Sequence, residues 1–358
     1  MKAWELEKLG GSLRLVDRPI PEPRSGGVVV RMDASALMSY MKPYVEGERS
    51  IYHAPDKPFI PGGNGVGTVH TVGPDVWHLK RGQRVVISSH FVAHENVGEP
   101  GQFLIGVTAV GPVAEKIQSD WPDGTLAEYA LLPATVATPV EGLSDLDSTT
   151  LATTMRHMVP YGGLLRGRLT PGETLLVSGA TGAYGTAAVL VGLAMGAGRV
   201  VAIGRNANAL EKIAKTGGSR VVPVQVSGDI PSDTARIREA AGGGVQLAFD
   251  IVGGATDPNM TLTALRSLRR EGRLVLMGSM TVPLPISYME LMMNGWEIIG
   301  NFMYPQNTYR RLFDLIRAGL LDLSVIRPHT LPLSELPQAM ELAAKAGGFE
   351  CVVMRHGD

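Results

Sequence analysis

Three glycines, Gly179, Gly182 and Gly185, follow the apolar run Leu175-Leu176-Val177-Ser178 and lead into the small residues Thr186-Ala187-Ala188-Val189. Residue types in that order suit a parallel strand that turns tightly into a helix. At such a turn, backbone N–H groups and the positive end of the helix dipole meet a dinucleotide pyrophosphate. Thr181, Ala183 and Tyr184 fall within the turn and join the glycines as candidate cofactor contacts. A second apolar run from Arg199 to Ile203 follows at the distance expected of the next strand, and ends on Gly204-Arg205-Asn206. An acidic side chain at that end would bond the adenosine ribose 2′-hydroxyl. Glycine in its place removes the repulsion toward a 2′-phosphate, and Arg205 supplies a cation. Gly204, Arg205 and Asn206 therefore predict NADP(H) rather than NAD(H). The other reading of Arg205 is a solvated side chain stacked on adenine.

His90 and His94 stand four residues apart, a spacing two metal ligands on one helix face would use. The adjoining Glu95-Asn96-Val97-Gly98-Glu99-Pro100 reads as loop, so a pair of surface histidines is expected there instead of a metal site. Cys351 is the only cysteine, which excludes an internal disulfide and any cysteine-based metal cluster.

The elements that must position these residues fall into two rhythms. The first third reads as short strands between turns: Val28–Met32, Gly67–Val72 and Arg84–Ile87, punctuated by Gly73-Pro74-Asp75 and Lys80-Arg81-Gly82-Gln83. From about Pro171, strands alternate with helical-period segments, at Thr174–Ser178, Arg199–Ile203, Arg220–Val224, Leu247–Asp250, Arg273–Met277 and Glu297–Asn301. Alternation of this kind implies a parallel sheet with helices on both faces. Two helices are expected in the tail, Tyr309–Gly319 and a second one opened by Ser334 as its cap.

The bulk composition sets wide bounds. A chain of 358 residues exceeds one ordinary core and suggests two domains. With 44% hydrophobic and 19% charged residues it is not of the disordered class, and a formal net charge of −1 gives no electrostatic case for nucleic acid or an acidic membrane. Apolar stretches are broken by Gly, Pro or charge before spanning length, and Met1–Glu7 carries no signal-like apolar block. A cytoplasmic protein acting on a small molecule is expected.

Several landmarks recur in order along nearly the whole chain. They are Pro61-Gly62 before Gly65-Val66-Gly67-Thr68-Val69, the stretch Val76 to Val85, Gly124-Thr125-Leu126-Ala127-Glu128-Tyr129, the glycine turn, Phe249-Asp250-Ile251-Val252-Gly253-Gly254, and Leu268 to Val275. Together they resemble the medium-chain dehydrogenase/reductase family. The resemblance implies an α/β protein with a GroES-like β-barrel catalytic domain over 1–137 and 306–358, and a Rossmann doubly wound parallel sheet binding NADP(H) over 138–305. In the alcohol-dehydrogenase branch of that family a Cys, a His-Glu pair and a second Cys hold a catalytic zinc. Those positions fall here on Met38, on Gly63-Asn64 and on Met155. Thioether and glycine do not supply the ligands zinc takes, so a zinc-free member with no metal site is expected. The family's structural-zinc cysteines are also missing, and Ser88 to Asp123 fill that region.

Loss of the Lewis acid makes alcohol oxidation near neutral pH hard to support. The zinc-free relatives that the chain resembles, quinone oxidoreductases and enoyl reductases, imply hydride transfer from NADPH to an activated C=C bond or a quinone. Two alternatives stand beside this: a zinc-free carbonyl or alcohol dehydrogenase, and a non-catalytic NADPH-binding protein. Such relatives carry an active-site tyrosine shortly after the lost-ligand strand. Tyr52 matches best, followed by Tyr44 and Tyr40. The resemblance also places Met38, Met41, Met155 and His157 at the substrate pocket, with plain core packing of the methionines and a structural or solvent-facing histidine as the other reading, and Gly278, Ser279, Met280 and Asn301 at the nicotinamide. Pairing of Rossmann sheets through the last strand, here Trp296–Asn301, implies a homodimer.

Overall fold

Strand Gly27–Ala36 organises the first half of the chain because almost every inward residue along it is apolar and buried. It pairs antiparallel with Gly65–Val72, Tyr129–Pro133 and Glu350–Arg355. Two register shifts along the Gly65–Val72 pairing let the sheet curl. Arg84–Ile87 and Ala137–Pro139 extend this sheet on one side and Arg327–Pro332 on the other, giving seven strands. The computed structural model describes residues 1–49, 51–93 and 96–357. His94 therefore lies outside the described residues.

The chain divides into two compact units, 1–155 with 326–346 and 350–358, and 156–325 with 347–349. The expected boundaries at 137/138 and 305/306 thus differ from the observed ones at 155/156 and 325/326. Physical reasons are visible at both. Arg84 Nη2 donates to the Leu146 carbonyl at 2.7 Å, which ties the segment after Pro139 to the first unit. Tyr309 packs on Tyr304 with ring centroids 6.4 Å apart, which ties the Thr308–Arg317 helix to the second.

In the first unit, the region from Ser88 to Asp123 is a small lobe. Strands His90–Val92, Gln102–Leu104 and Thr108–Ala109 form an antiparallel sheet, followed by helix Pro112–Asp120. Phe103, Ile105 and Ala114 join the barrel core, with Ile117 and Trp121 packed against it. His90 is buried in this lobe, with Nε2 2.9 Å from Gln102 Oε1. The expected surface position is corrected: pairing of His90 with Leu104 turns the ring inward beside Gln102.

The second unit is a six-stranded parallel sheet in the spatial order Val221–Gln225, Arg199–Gly204, Thr174–Ser178, Val245–Asp250, Leu268–Leu276, Glu297–Gly300. This is the doubly wound order, and its direction reverses between Thr174–Ser178 and Val245–Asp250. Near-continuous apolar strands such as Leu175–Val177 and Val200–Ile203 are buried on both faces, as a helix-covered parallel sheet requires. Gly347–Phe349 joins this unit, where Lys212 Nζ lies 5.1 Å from the Phe349 ring centroid.

One cap differs from expectation. Ser334 lies in a single 3₁₀ turn, and the following helix runs Leu336–Lys345 with Glu335 at its N-cap. Pro337, which lacks an N–H and has a fixed φ, belongs in the first helical turn and sets that start. Among the described residues, no helix is long and apolar enough to cross a membrane.

Candidate functional site

The cofactor candidates all lie in the second unit and follow the C-terminal ends of its strands, where open α/β sheets bind ligands. Gly179 leaves the first strand at φ +74°, a conformation that side chains resist. Gly182 is the N-cap of helix Ala183–Ala194, and no side-chain cap closes that end. Gly185 packs so tightly under the turn that a Cβ would lie 2.0 Å from the Gly179 carbonyl oxygen. Thr186 Oγ1 donates to the Ala180 carbonyl at 3.0 Å and fixes the inner side of the turn. The result is a rigid helix N-terminus that fits a pyrophosphate.

At the end of the second strand, Gly204 is buried, and a Cβ there would lie 2.9 Å from Thr181 Cγ2. Thr181 therefore takes part of the space that an acidic side chain at 204 would need. Arg205 is exposed, its carbonyl accepts from Gln225 Nε2 at 3.0 Å, and among the described residues its guanidinium has no ion-pair partner. The Asn206 side chain accepts from the Ala209 N–H at 3.1 Å and caps helix Ala207–Gly217. Its carboxamide oxygen thus serves the helix.

The loops after later strands are tied together. Gly253 and Ser279 form an isolated bridge, and the N–H groups of Met277 and Gly278 both donate to the Asp250 carbonyl, at 2.9 and 3.1 Å. The Asp250 carboxylate accepts from the Val252 N–H at 3.1 Å and from the Thr261 hydroxyl, while burial raises its pKa. This acid holds the loop. Asn301 Nδ2 donates to the Met303 carbonyl at 2.8 Å and its N–H to the Leu276 carbonyl at 3.2 Å, so both stabilise the turn after the last strand. Ser279 and Met280 are half-buried on the neighbouring loop.

In the first unit, the three tyrosines form one cluster. Tyr40 stacks on Tyr52 with centroids 5.8 Å apart, and Tyr44 meets Tyr52 edge-on at 5.4 Å. Their hydroxyl groups differ in circumstance. Tyr44 is fully buried and donates to the Val107 carbonyl at 2.8 Å. Burial pushes its phenol well above the usual tyrosine range, and neighbouring Tyr52 adds in the same direction. A proton held there is not available to a substrate, so Tyr44 is corrected from candidate donor to core residue. Tyr40 and Tyr52 are half-buried, and the Arg49 guanidinium lies 5.5 Å from the Tyr40 centroid.

Of the four pocket candidates, Met38 and Met155 are half-buried, while Met41 and His157 are fully buried. Met41 opens the short helix Met41–Val45 and packs into its core, and His157 lies on the buried side of Met155–Arg166. Neither presents surface to a substrate, so both are corrected from pocket candidates to core residues, in line with the alternative packing reading.

The zinc-ligand positions do not fit the metal. A Cβ on Gly63 would lie 2.3 Å from the Ile105 carbonyl oxygen, so the lobe closes the place of a histidine. Asn64 is buried and clamps one backbone residue: Oδ1 accepts from the Ala36 N–H at 3.1 Å, and Nδ2 donates to the Ala36 carbonyl at 3.0 Å. Thioethers at 38 and 155 complete a set without an anionic or imidazole ligand. The Asn64 clamp escaped sequence reasoning, since its partner is a backbone group that only the fold identifies.

Two families match the chain: one described as alcohol dehydrogenase GroES-like domain over residues 24–142, and one described as zinc-binding dehydrogenase over 183–318. An alcohol dehydrogenase from Moraxella sp. (strain TAE123) is 30% identical over 328 residues, 91% of each chain. The sorbitol dehydrogenase of Rattus norvegicus is 26% identical over 351 residues, 96% of this chain and 93% of that one. Among solved structures, the alcohol dehydrogenase TADH from Thermus sp. ATN1 superimposes with a TM-score of 0.81 at 22% identity, covering 100% of both chains. At that identity the likeness speaks for the fold alone.

Proposed function

The chain belongs to the medium-chain dehydrogenase/reductase family, and on that premise we propose that it is an NADP(H)-dependent oxidoreductase that transfers hydride without zinc. Membership makes it an oxidoreductase by family; the cofactor, the metal independence and the substrate class are the proposal. The relatives' names turn the reading toward a carbonyl/alcohol pair and away from the expected quinone or enoyl acceptor. The observation that carries metal independence is the closed ligand position at Gly63, with Ile105 against it and the neighbouring Asn64 amide engaged by Ala36.

In the direction of reduction, a carbonyl needs a hydrogen-bond donor and then a proton at its oxygen, and a phenol supplies both without a Lewis acid. When bound, NADPH supplies the hydride. The glycine turn would hold the pyrophosphate, and Arg205 would pair with the 2′-phosphate. Tyr52 is the donor of choice in the tyrosine cluster: the Tyr44 hydroxyl is engaged by Val107, and Tyr52 is the ring both neighbours hold. The Tyr52 phenol would donate a hydrogen bond to the substrate carbonyl oxygen and then its proton, as negative charge develops there.

A second reading, reduction of an enone, enoyl thioester or quinone, is favoured by the same lack of metal ligands, since such acceptors make the lighter demand. The homodimer belongs to the proposal too, supported by the apolar surface of helix Tyr288–Asn294 beside the edge strand Glu297–Gly300. A panel of simple ketones, 2-alkenals, enoyl thioesters and quinones, each run with NADPH and NADH, tests the reading. Turnover of ketones with NADPH is expected. Turnover of conjugated acceptors alone selects the second reading, and tight NADPH binding without turnover selects a non-catalytic role.

A further inference from the structure

The lobe formed by Ser88 to Asp123 touches the tyrosine segment at two points on either side of Tyr52. On one side, the Tyr44 hydroxyl donates to the Val107 carbonyl at 2.8 Å, and the Tyr44 ring stands edge-on to Tyr52 at 89°. On the other, the backbone of His53 is pinned in both directions. Its N–H donates to Thr108 Oγ1 at 2.8 Å, and its carbonyl accepts from the Ala109 N–H at 3.0 Å and Gln118 Nε2 at 3.2 Å. The lobe itself is anchored to the barrel. Gly106, at φ +59°, accepts from the Gly62 N–H at 3.2 Å, and a Cβ on it would lie 2.3 Å from the Gly62 carbonyl oxygen. A rigid strip, 105–109, thus runs from the Pro61–Asn64 turn to both clamps.

We infer that Tyr44 is a positioning residue for Tyr52, and that the lobe serves to hold Tyr52 in its working orientation through Val107 and Thr108. The inference rests on the reading of Tyr52 as proton donor. A phenol on a loop samples many orientations, and a donor is effective only within a narrow range of geometry. Fixing the ring through a buried edge-on neighbour and the next backbone residue through three hydrogen bonds removes that freedom. The assignment also gives a role to a region that lacks the cysteines of a metal-held lobe and is held instead by Phe103, Ile105 and Ile117.

The test uses the full chain with two single variants, Tyr44→Phe and Thr108→Val, and each combined with Tyr52→Phe. Tyr44→Phe keeps the ring and removes one neutral hydrogen bond, so kcat is expected to fall by about tenfold with the NADPH Kd unchanged. Amide hydrogen exchange at residues 51–54 is expected to quicken by a similar factor. Thr108→Val removes the other clamp without touching the tyrosine cluster, and is expected to act in the same direction. In the Tyr52→Phe background, neither variant lowers kcat further, because residues that act through one another are not additive. An equal loss in both backgrounds overturns the inference, as does unchanged exchange at 51–54 in both single variants. If Tyr52→Phe alone retains kcat, the donor reading fails. The exchange measurement then decides the positioning of Tyr52 by itself.

Discussion

At the scale of single residues, the chemistry turns on small substitutions of type. Gly204 followed by Arg205 replaces the usual acid, and Thr181 presses on the glycine so that an acid would not fit unaltered. Arg205→Ala is therefore expected to weaken NADPH binding by on the order of 1–3 kcal/mol and to leave NADH binding nearly as it was. Titrations with both cofactors check this, and equal losses would contradict the 2′-phosphate assignment. On the acceptor side, Tyr52→Phe is expected to lower kcat by about 100- to 1,000-fold, the scale of losing one oxyanion-hole donor. Its NADPH Kd should stay unchanged, and steady-state kinetics beside direct binding separate the two effects. Gly63→His does not restore a metal site. The new Cβ meets the Ile105 carbonyl oxygen at 2.3 Å, and overpacking of this kind costs about 1–3 kcal/mol. A thermal scan with and without zinc would show a lowered Tm in both.

At the scale of elements, strands were far easier to read than the contacts between them. The apolar runs at 174–178 and 199–203 announce buried parallel strands, and five of the six expected strands lie within a few residues of the observed ones. Leu268–Leu276 starts earlier than expected, because Arg269, Arg270 and Glu271 are polar and exposed, and Glu271 has φ +59°. They fall in the register shift between the Leu268 and Arg273 pairings, which leaves no periodic signal. The Pro112–Asp120 helix has no counterpart among the elements expected from the sequence, although Pro112 behind Gly111 suits a first helical turn. Of the site, the glycine turn was readable because its residue types are dictated by backbone geometry. Tyr44 against Tyr52 was not, since a hydroxyl's partner is a matter of tertiary placement. His356 shows the same limit. It follows strand Glu350–Arg355 and is buried, with Nδ1 2.8 Å from the Ala127 carbonyl. Burial pulls its pKa down from 6.5 to about 4. Between those values the unfolded chain binds more protons than the folded one, so stability is lost as pH falls from 6.5 toward 4. In His356→Gln, chemical denaturation across that range should show a slope shallower by up to about 1.4 kcal/mol per pH unit. An unchanged slope would assign the acid sensitivity elsewhere.

At the scale of the whole molecule, the sheet of the second unit ends, among the described residues, on the edge strand Glu297–Gly300, and the neighbouring helix exposes Tyr288, Met289, Met292 and Met293. An apolar surface beside an unpaired strand suits association with a second copy. Light scattering is expected to give a dimer, and Met289→Lys with Met293→Lys to give a monomer. A monomeric parent chain would remove the homodimer from the account. The proposed hydride transfer from NADPH sets this chain apart from the zinc chemistry named in its matched family by needing no metal. The most direct test is metal content and turnover measured on one preparation, before and after exhaustive chelation. Far less than one equivalent of zinc per chain is expected, with NADPH-driven reduction that chelation leaves unchanged. A full equivalent of zinc, with turnover lost on chelation and regained when zinc is returned, would contradict it.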